Sequence, residues 1–268
     1  MTEPVHILVT CPKVELLPAA TLVFQTIRVG FPDQPVYVQA NGSLGLNYHP
    51  IRRAVLAVGG RWMESPYDGA HDDWIARQLQ WATSPFWICD TDVVFWRRFE
   101  FESDGSTLAG VRTPSFYEPW SKAQYRERLH TCLMRLDPQQ FQDATMAYMD
   151  RVNLYPFRPA IELVRQQWQP ERRGNSLTHH FYDTLAMAWH AFGGQEFNRE
   201  QIESFDHLNC ATYVDRIAPS LDFDIQAAHK AVYEDPERLR GSWARQFEWF
   251  ESHKEPAITM KGKVNKSE

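Results

Sequence analysis

A chain of 268 residues with 43% hydrophobic and 23% charged residues has the composition of an ordinary globular protein, with room for one large domain or two small ones. Its formal net charge of −6, with acids and bases interspersed, does not point to nucleic acid as the main partner, although a local basic patch fits within it. No uninterrupted apolar run approaches the roughly 20 residues needed to span a bilayer, so stable membrane insertion is not expected.

Val5 to Thr10 reads as a first buried strand, ending at Thr10-Cys11-Pro12. Residues Ala19 to Val29 follow a helical period, with Leu22, Ile27 and Val29 apolar, and Phe31-Pro32-Asp33-Gln34-Pro35 breaks that helix. Val36 to Ala40 is a second strand, closed by the turn signal Asn41-Gly42, and Arg53 to Val58 a third, ending in Gly59-Gly60. Strand, helix, strand with short connections is the pattern of a parallel α/β sheet. A helix then runs from His71 to Thr83, with His71, Ile75, Leu79 and Ala82 as one stripe. Asp72 and Asp73 fall in its first turn, where negative charge suits the helix dipole, and Arg77 is placed to pair with Asp73 at i−4.

Further on, Leu108 to Arg112 and Cys132 to Leu136 read as strands. Gln139 to Arg151, Pro159 to Trp168 and Thr178 to Phe192 read as helices, the last with Phe181, Leu185, Ala188 and Phe192 on one face. Ser204 to Val214 contains one or two short strands, and Arg238 to Glu251 an amphipathic helix. With no repeat and no interdomain linker, residues 1–253 are expected to form one domain, and the polar, lysine-rich residues 254–268 a disordered tail. Cys11, Cys89, Cys132 and Cys210 show no CxxC spacing, and three lie in or beside apolar runs, which suits reduced core thiols. The opening run is too short for a signal h-region and lacks a basic lead, so a cytoplasmic location is expected.

The densest chemistry lies in Phe86-Trp87-Ile88-Cys89-Asp90-Thr91-Asp92-Val93-Val94-Phe95-Trp96. Phe86 to Cys89, bracketed by Pro85, reads as a buried strand, and Asp90 and Asp92 fall at or just past its carboxyl end, where open α/β sheets bind ligands. Carboxylates beside a core strand need a cation or donors close by. Mg²⁺ and Mn²⁺ prefer carboxylate oxygen and keep open positions for phosphate oxygens. The plainer alternative is a strand-end turn in which Asp90 accepts backbone N–H bonds and Asp92 is solvated.

Taken in order, these features resemble a glycosyltransferase of the GT-A fold, on residues 5–112 and more loosely on 128–214. Thr10 ends the opening strand, Val36-Tyr37-Val38-Gln39-Ala40-Asn41-Gly42 follows the first helix, and a helix from His71 precedes the DxD motif Asp90-Thr91-Asp92. The resemblance implies an α/β, GT-A-like (Rossmann-like) fold with a mixed, mostly parallel central sheet flanked by helices. It also implies metal-dependent transfer of a sugar from a nucleotide-sugar donor, a UDP-sugar foremost, with Mn²⁺ or Mg²⁺ as cofactor. In the family pattern Asp92 is the direct metal ligand and Asp90 a ribose or water-mediated partner, while Thr10, Asn41, His71 and Arg77 border the nucleotide. The third ligand in such proteins is commonly a late histidine; His207 fits best, with Asp206 as alternate and His229, beside Lys230, as a weaker contender. A core histidine bonded to a carbonyl is the rival reading of His207.

On the acceptor side, Asp183 is the candidate acid, read as lying in the first turn of the Thr178–Phe192 helix and pointing away from its core stripe. A solvated helix-start acid would look the same. Phe116, Tyr117, Trp120 and Tyr125 suit a sugar-stacking platform or a lid, with Tyr117 and Trp120 as acceptor contacts, and Arg126 and Arg128 add charge suited to phosphate. Two rivals stand beside this reading. Asp90-Thr91-Asp92-Val93-Val94 also satisfies the first motif of haloacid-dehalogenase-like phosphohydrolases, where the first acid is a nucleophile, but that motif normally sits on the first strand and no well-placed lysine follows. A non-catalytic nucleotide- or carbohydrate-binding module would keep the pocket without an acceptor-side acid.

Overall fold

The computed structural model describes residues 2–10, 17–42, 48–118, 123–152, 159–173, 176–207 and 240–241. Its centre is a sheet that begins with three parallel strands, β1 (Val5–Val9), β2 (Val36–Asn41) and β4 (Phe86–Cys89). Their residues are buried along nearly their whole length, as parallel strands covered on both faces require. The two faces separate with period two. Val5, Ile7, Val9, Trp87 and Cys89 join one apolar cluster, and Leu8, Phe86 and Ile88 the other. On the first face pack α1 (Leu17–Gly30) and α2 (His49–Ala57), and on the second α3 (His71–Trp81), α4 (Pro138–Val152), α5 (Pro159–Val164) and α6 (Ala186–Phe192).

The expected third strand at Arg53–Val58 is instead the end of α2 and its cap. Ile51 and Val55, four residues apart, bury together against the core, and Pro50 stands at the helix start, where a missing N–H costs nothing. The true neighbour of β2 is β3 (Arg61–Tyr67), an outer strand that is mostly exposed and contains Glu64, Ser65 and Pro66. Such composition suits a sheet edge and hides it from a search for apolar runs.

Beyond β4 the chain turns through Thr91 and Asp92 into β5 (Val93–Phe95). It then builds a long hairpin whose arms are β6 (Leu108–Thr113) with β7 (Phe116–Glu118), and β8 (Ala123–Tyr125) with β9 (Arg128–Leu136). β6 and β9 belong to the large sheet, β7 and β8 to a small one completed by β10 (Gln167–Arg173) and β11 (Ser176–Tyr182). With β12 (Gln195–Glu196) at its edge, the seven-stranded order is β12-β6-β9-β4-β1-β2-β3, and β9 alone runs against its neighbours. This is the mixed, mostly parallel α/β sheet expected. Last come α7 (Arg199–Ile202), opened by an Asn198 capping box, and β13 (Phe205–His207), which pairs antiparallel with β5.

Two further expectations are corrected. The helix read at Pro159–Trp168 stops at Val164, and Gln167 onward forms β10. The helix read at Thr178–Phe192 divides into β11 and the shorter α6, separated by Leu185 at φ 63°. Thr178, Phe181 and Tyr182 suit a strand, and β11 is paired on both sides, with Trp168 opposite Phe181 on β10 and Tyr125 opposite Phe181 on β8. Those tertiary pairs override the helical spacing of Phe181 and Leu185. The expected strand at Ser204–Val214 is described only as β13; the helix expected at Arg238–Glu251, apart from residues 240–241 in a turn, and the tail, Cys11, Cys210, His229 and Lys230 lie outside the described residues. Cys89 and Cys132 are free, buried thiols. Among the described residues no helix is long and apolar enough to cross a membrane.

Two stability predictions follow from packing. Gly30 closes α1 against the ring of Phe95, and a Cβ there would overlap that ring. Gly30→Ala should cost about 1–3 kcal/mol in denaturant unfolding; an unchanged midpoint would show that β5 yields freely. His6 lies parallel to Tyr37 and edge-on to Phe86, and burial lowers its pKa from 6.5 to about 4. The unfolded chain therefore takes up this proton first, so stability is full above pH 6.5 and falls by up to about 3 kcal/mol as pH drops from 6.5 to 4. His6→Phe should remove that part of the acid sensitivity, measured as the pH dependence of the unfolding free energy against wild type.

Candidate active site

β1 is followed in sequence by β2 on one side and has β4 on the other. The chain order reverses between β1 and β4, and a crevice at such a point, at the carboxyl ends of the strands, is where open α/β sheets take ligands. Thr10, Asn41 and Asp90 stand at the ends of β1, β2 and β4 on that edge. The β6–β9 hairpin overhangs it. β9 pairs Leu133 with Cys89, so residues 128–132 extend past the end of β4. A register shift opposite Gly110 and Val111 leaves Thr131, Cys132 and Leu133 without partners on β6. A bulge of this kind bends a strand beside a site. Here it lets the Asp90 N–H donate to the Cys132 carbonyl at 2.7 Å, which fixes the first acid of the motif.

The second acid is fixed from the other direction. β13 pairs with β5 so that His207 faces Val93, the residue after Asp92. His207 Nε2 comes 3.0 Å from Asp92 Oδ1, and the two are 6% and 3% exposed. Asp90, Asp92 and His207 each offer one ligand atom, all within 4.8 Å of one another. Two carboxylates and an imidazole suit a hard or borderline divalent cation. The electrostatics agree: burial and the neighbouring Asp92 carboxylate push Asp90 up to about 8, so the place favours added positive charge. Burial opposes charge on His207, but Asp92 beside it prevails and raises that imidazole above its usual value.

His130, Cys132 and His207 form a second trio within the same span. His130 Nδ1 accepts the Cys132 N–H at 3.1 Å, which leaves the proton of a neutral ring on Nε2. Burial holds His130 well below its usual pKa and Cys132 well above its own, so this trio is neutral imidazole and thiol. The oxygen-rich trio is the better cation site.

The rim is built by the segment after α5 docking on the start of α3. Arg165 pairs with Asp73 at 2.8 Å, and the Gln166 N–H donates to Asp72. Arg165, then, is the partner of Asp73, and Arg77 lies over the ring of Tyr67 at 5.1 Å. Gln166 Nε2 reaches on to Asp183 Oδ1 at 2.9 Å. Asp183 is not in a helix. It follows β11 directly, where Leu185 in the left-handed region turns the chain toward α6. There Oδ1 also accepts the Thr184 N–H at 2.8 Å, and Oδ2 pairs with Arg128 at 2.7 Å. The Asp183 carboxylate lies near enough to act electrostatically on both Asp90 and His71, raising the pKa of each. His71 Nε2 lies 3.7 Å from Asp90 Oδ1, stacked on Trp74, and burial keeps its pKa low against the pull of Asp183 and Asp72.

The carboxyl edge thus brings together Asp90, Asp92, His207 and His71, with Asp183 on the rim beside Gln166 and Arg128. Asn41 is on the right edge, but its buried amide donates to the Gly69 carbonyl and braces the entry to α3. Asp206 alternates away from the cluster: its carboxylate accepts Trp96 Nε1 at 2.7 Å and the Gly241 N–H at 2.8 Å. Tyr117 has a described backbone in β7, and Trp120 lies outside the described residues. Gln166 carries no signal in the sequence, and Arg128 stands out there only as loose positive charge. A buried arginine is recognisable only once its carboxylate is placed.

No protein-family model matches the chain, and no curated protein matches it in sequence. Among solved structures it is similar to apo WbbM, a bifunctional glycosyltransferase, at 12% identity and TM-score 0.45, over 88% of this chain and 45% of that one. It is similar to the apo glycosyltransferase GlyE of Streptococcus pneumoniae TIGR4 at 10% identity and TM-score 0.47, over 97% of this chain and 66% of that one. The galactosyltransferase LgtC, in complex with donor and acceptor sugar analogues, matches at 6% identity and TM-score 0.35, over 59% of this chain and 69% of that one. The chain therefore spans less than half of WbbM and 66% of GlyE, and the activities of those proteins remain theirs.

Calorimetric titration with Mn²⁺ tests the cluster. Asp92→Asn and His207→Gln should each weaken binding on the order of 100-fold, since even groups behind the ligands cost tens of fold. Asp206→Asn should leave Mn²⁺ affinity within a few fold and lower the melting temperature. Loss of binding in Asp206→Asn alone would reassign the ligand.

Proposed function

We propose that the chain transfers a sugar from a nucleotide-sugar donor to a hydroxyl-bearing acceptor, with Mn²⁺ or Mg²⁺ held by Asp92, His207 and Asp90. The supporting observation is the convergence of these three side chains at the carboxyl edge of the sheet, beside the point where strand order reverses. A cation bound there would act as Lewis acid on the diphosphate leaving group. The family resemblance of the motif favours a uridine diphosphate. In the reaction the bond from the anomeric carbon to the diphosphate oxygen breaks, the acceptor oxygen bonds that carbon, and the acceptor's proton passes to the departing diphosphate or to water.

The chain's own groups divide the remaining work. Asp92 is held in place by His207, and Asp90 by its backbone bond to Cys132, so both acids are fixed before a donor arrives. His71 stands beside Asp90, and its role is to meet a ribose or phosphate oxygen of the donor. Thr10, at the end of the neighbouring strand, borders the nucleotide. Asp183 already accepts from Gln166, Thr184 and Arg128. A carboxylate has about four acceptor sites, so one remains, and its role is to hold a sugar hydroxyl in line.

A thermal-shift panel of UDP, GDP, CDP and their sugars, each with and without Mn²⁺, tests this reading. At a hundred times its dissociation constant the right nucleotide should add about 2.7 kcal/mol, a rise of about 5–10 °C, dependent on Mn²⁺ and absent in Asp92→Asn. A shift with phosphate and Mg²⁺ but with no nucleotide would favour phosphohydrolase chemistry instead.

A further inference from the structure

Among the described residues, four buried side-chain polar atoms without a hydrogen-bond partner belong to one hairpin: Thr113 Oγ1, Gln124 Oε1, Arg126 Nε and Arg128 Nη1. An unpaired buried polar atom lowers stability, so such a group calls for an explanation. The hairpin passes here from the large sheet into the small one, over the carboxyl edge that carries Asp90 and Asp92. Thr113 and Arg128 are directly opposed across the β6–β9 ladder, so their side chains share a face, at 0% and 6% exposure. One arm of the Arg128 guanidinium is committed to Asp183, and the other, Nη1, is not. Gln124 and Arg126 precede Arg128 at alternate positions, and the Arg126 guanidinium lies over Tyr182, next to Asp183.

The unpaired atoms are chemically mixed. The guanidinium N–H groups only donate, Gln124 Oε1 only accepts, and the Thr113 hydroxyl does both. A free phosphate would satisfy the donors and leave Gln124 Oε1 orphaned. Neighbouring hydroxyls, each donor and acceptor at once, satisfy all of them. We propose that Thr113 and Arg128, flanked by Gln124 and Arg126, form a subsite for the hydroxyl groups of a sugar ring, seated against Asp183. This deepens the transferase reading by naming the surface that grips the sugar, and it rests on that reading for the sugar's link to a nucleotide. The ring belongs to the donor or to the acceptor, which share this chemistry.

Thr113→Val keeps the shape of the side chain and removes only the unpaired hydroxyl. Without ligand its melting temperature should equal or exceed that of wild type, because no hydrogen bond is lost. Binding is then measured with Mn²⁺ and UDP alone, with Mn²⁺ and UDP-glucose, UDP-galactose or UDP-N-acetylglucosamine, and with free glucose or galactose added to the Mn²⁺–UDP complex. UDP affinity should stay the same, while the gain from the sugar falls about tenfold, the worth of one good hydrogen bond. A loss confined to the UDP-sugars assigns the ring to the donor, and a loss confined to free monosaccharides assigns it to the acceptor. Arg128→Lys, which keeps a cation beside Asp183 without Nη1, should show the same loss. Unchanged sugar affinity in Thr113→Val, or a wild type that binds none of these sugars, overturns the subsite. Failure of UDP to bind while sugar affinity falls in Thr113→Val would sink the nucleotide reading and leave the subsite standing.

Discussion

The contact between Asp92 and His207 constrains much of what surrounds it. Both side chains are almost wholly buried, and a buried carboxylate without a partner is costly. The partner must come from far along the chain, so β13 has to reach β5 and pair with it in one register. A slip of one residue would turn His207 away and bring Asp206 inward. Aromatic packing guards that register. Phe205 of β13 packs on Phe95 of β5 and on Phe99, and Phe31 and Trp87 pack on the same group. The large aromatic share of the sequence is spent in part on this cluster, which lies directly behind the acids. On the outer side of β13, Asp206 takes bonds from Trp96 and Gly241 and closes the ladder from the other face.

The opposite wall depends on a different device. The small sheet sits off the main core, and polar links join its end to the crevice. Asp72 binds the backbone of Gln166, whose side chain holds Asp183, which in turn holds Arg128. Each link would be weak in water. Arg128 is nearly buried, however, so breaking its pair would strand a charge and cost several kcal/mol. The start of α3, the end of β11 and the overhanging hairpin are therefore coupled, and His71 at the head of α3 is tied to the same frame.

How far the sequence disclosed this follows from where each signal comes from. β1, β2 and β4 are legible because parallel strands buried on both faces must be apolar throughout. The acids at the end of β4 stand out for the same reason, against an apolar background. β3 is hidden because a sheet edge tolerates Glu64, Ser65 and Pro66. β11 is misread because Phe181, Leu185, Ala188 and Phe192 fit a helical period by accident, while Leu185 in the left-handed region breaks it. Asp183 stands out for the wrong element: its spacing suggests a helix start, and the structure has a strand end that aims the carboxylate at Arg128. Gln166 and Thr113 carry no local signal, since their importance lies in partners that only the folded chain supplies.

The departures from regular geometry gather around one edge of the sheet. The β9 bulge, the left-handed Leu185, the acid pushed up to about 8 at Asp90 and the unpaired atoms of Thr113 and Arg128 all lie along the crevice or its rim. Each lowers stability taken alone, and a sequence shaped only for folding would shed them. Thr113 is the clearest case, because valine has nearly the same shape, suits a strand as well, and leaves no orphaned hydroxyl. The alternating faces of β1 and β4 and the aromatic cluster behind β5 supply the surplus that lets these features persist. Stability is concentrated in the core layers and spent at the carboxyl edge, which is the distribution expected when the edge is shaped for a ligand that completes its charges and hydrogen bonds.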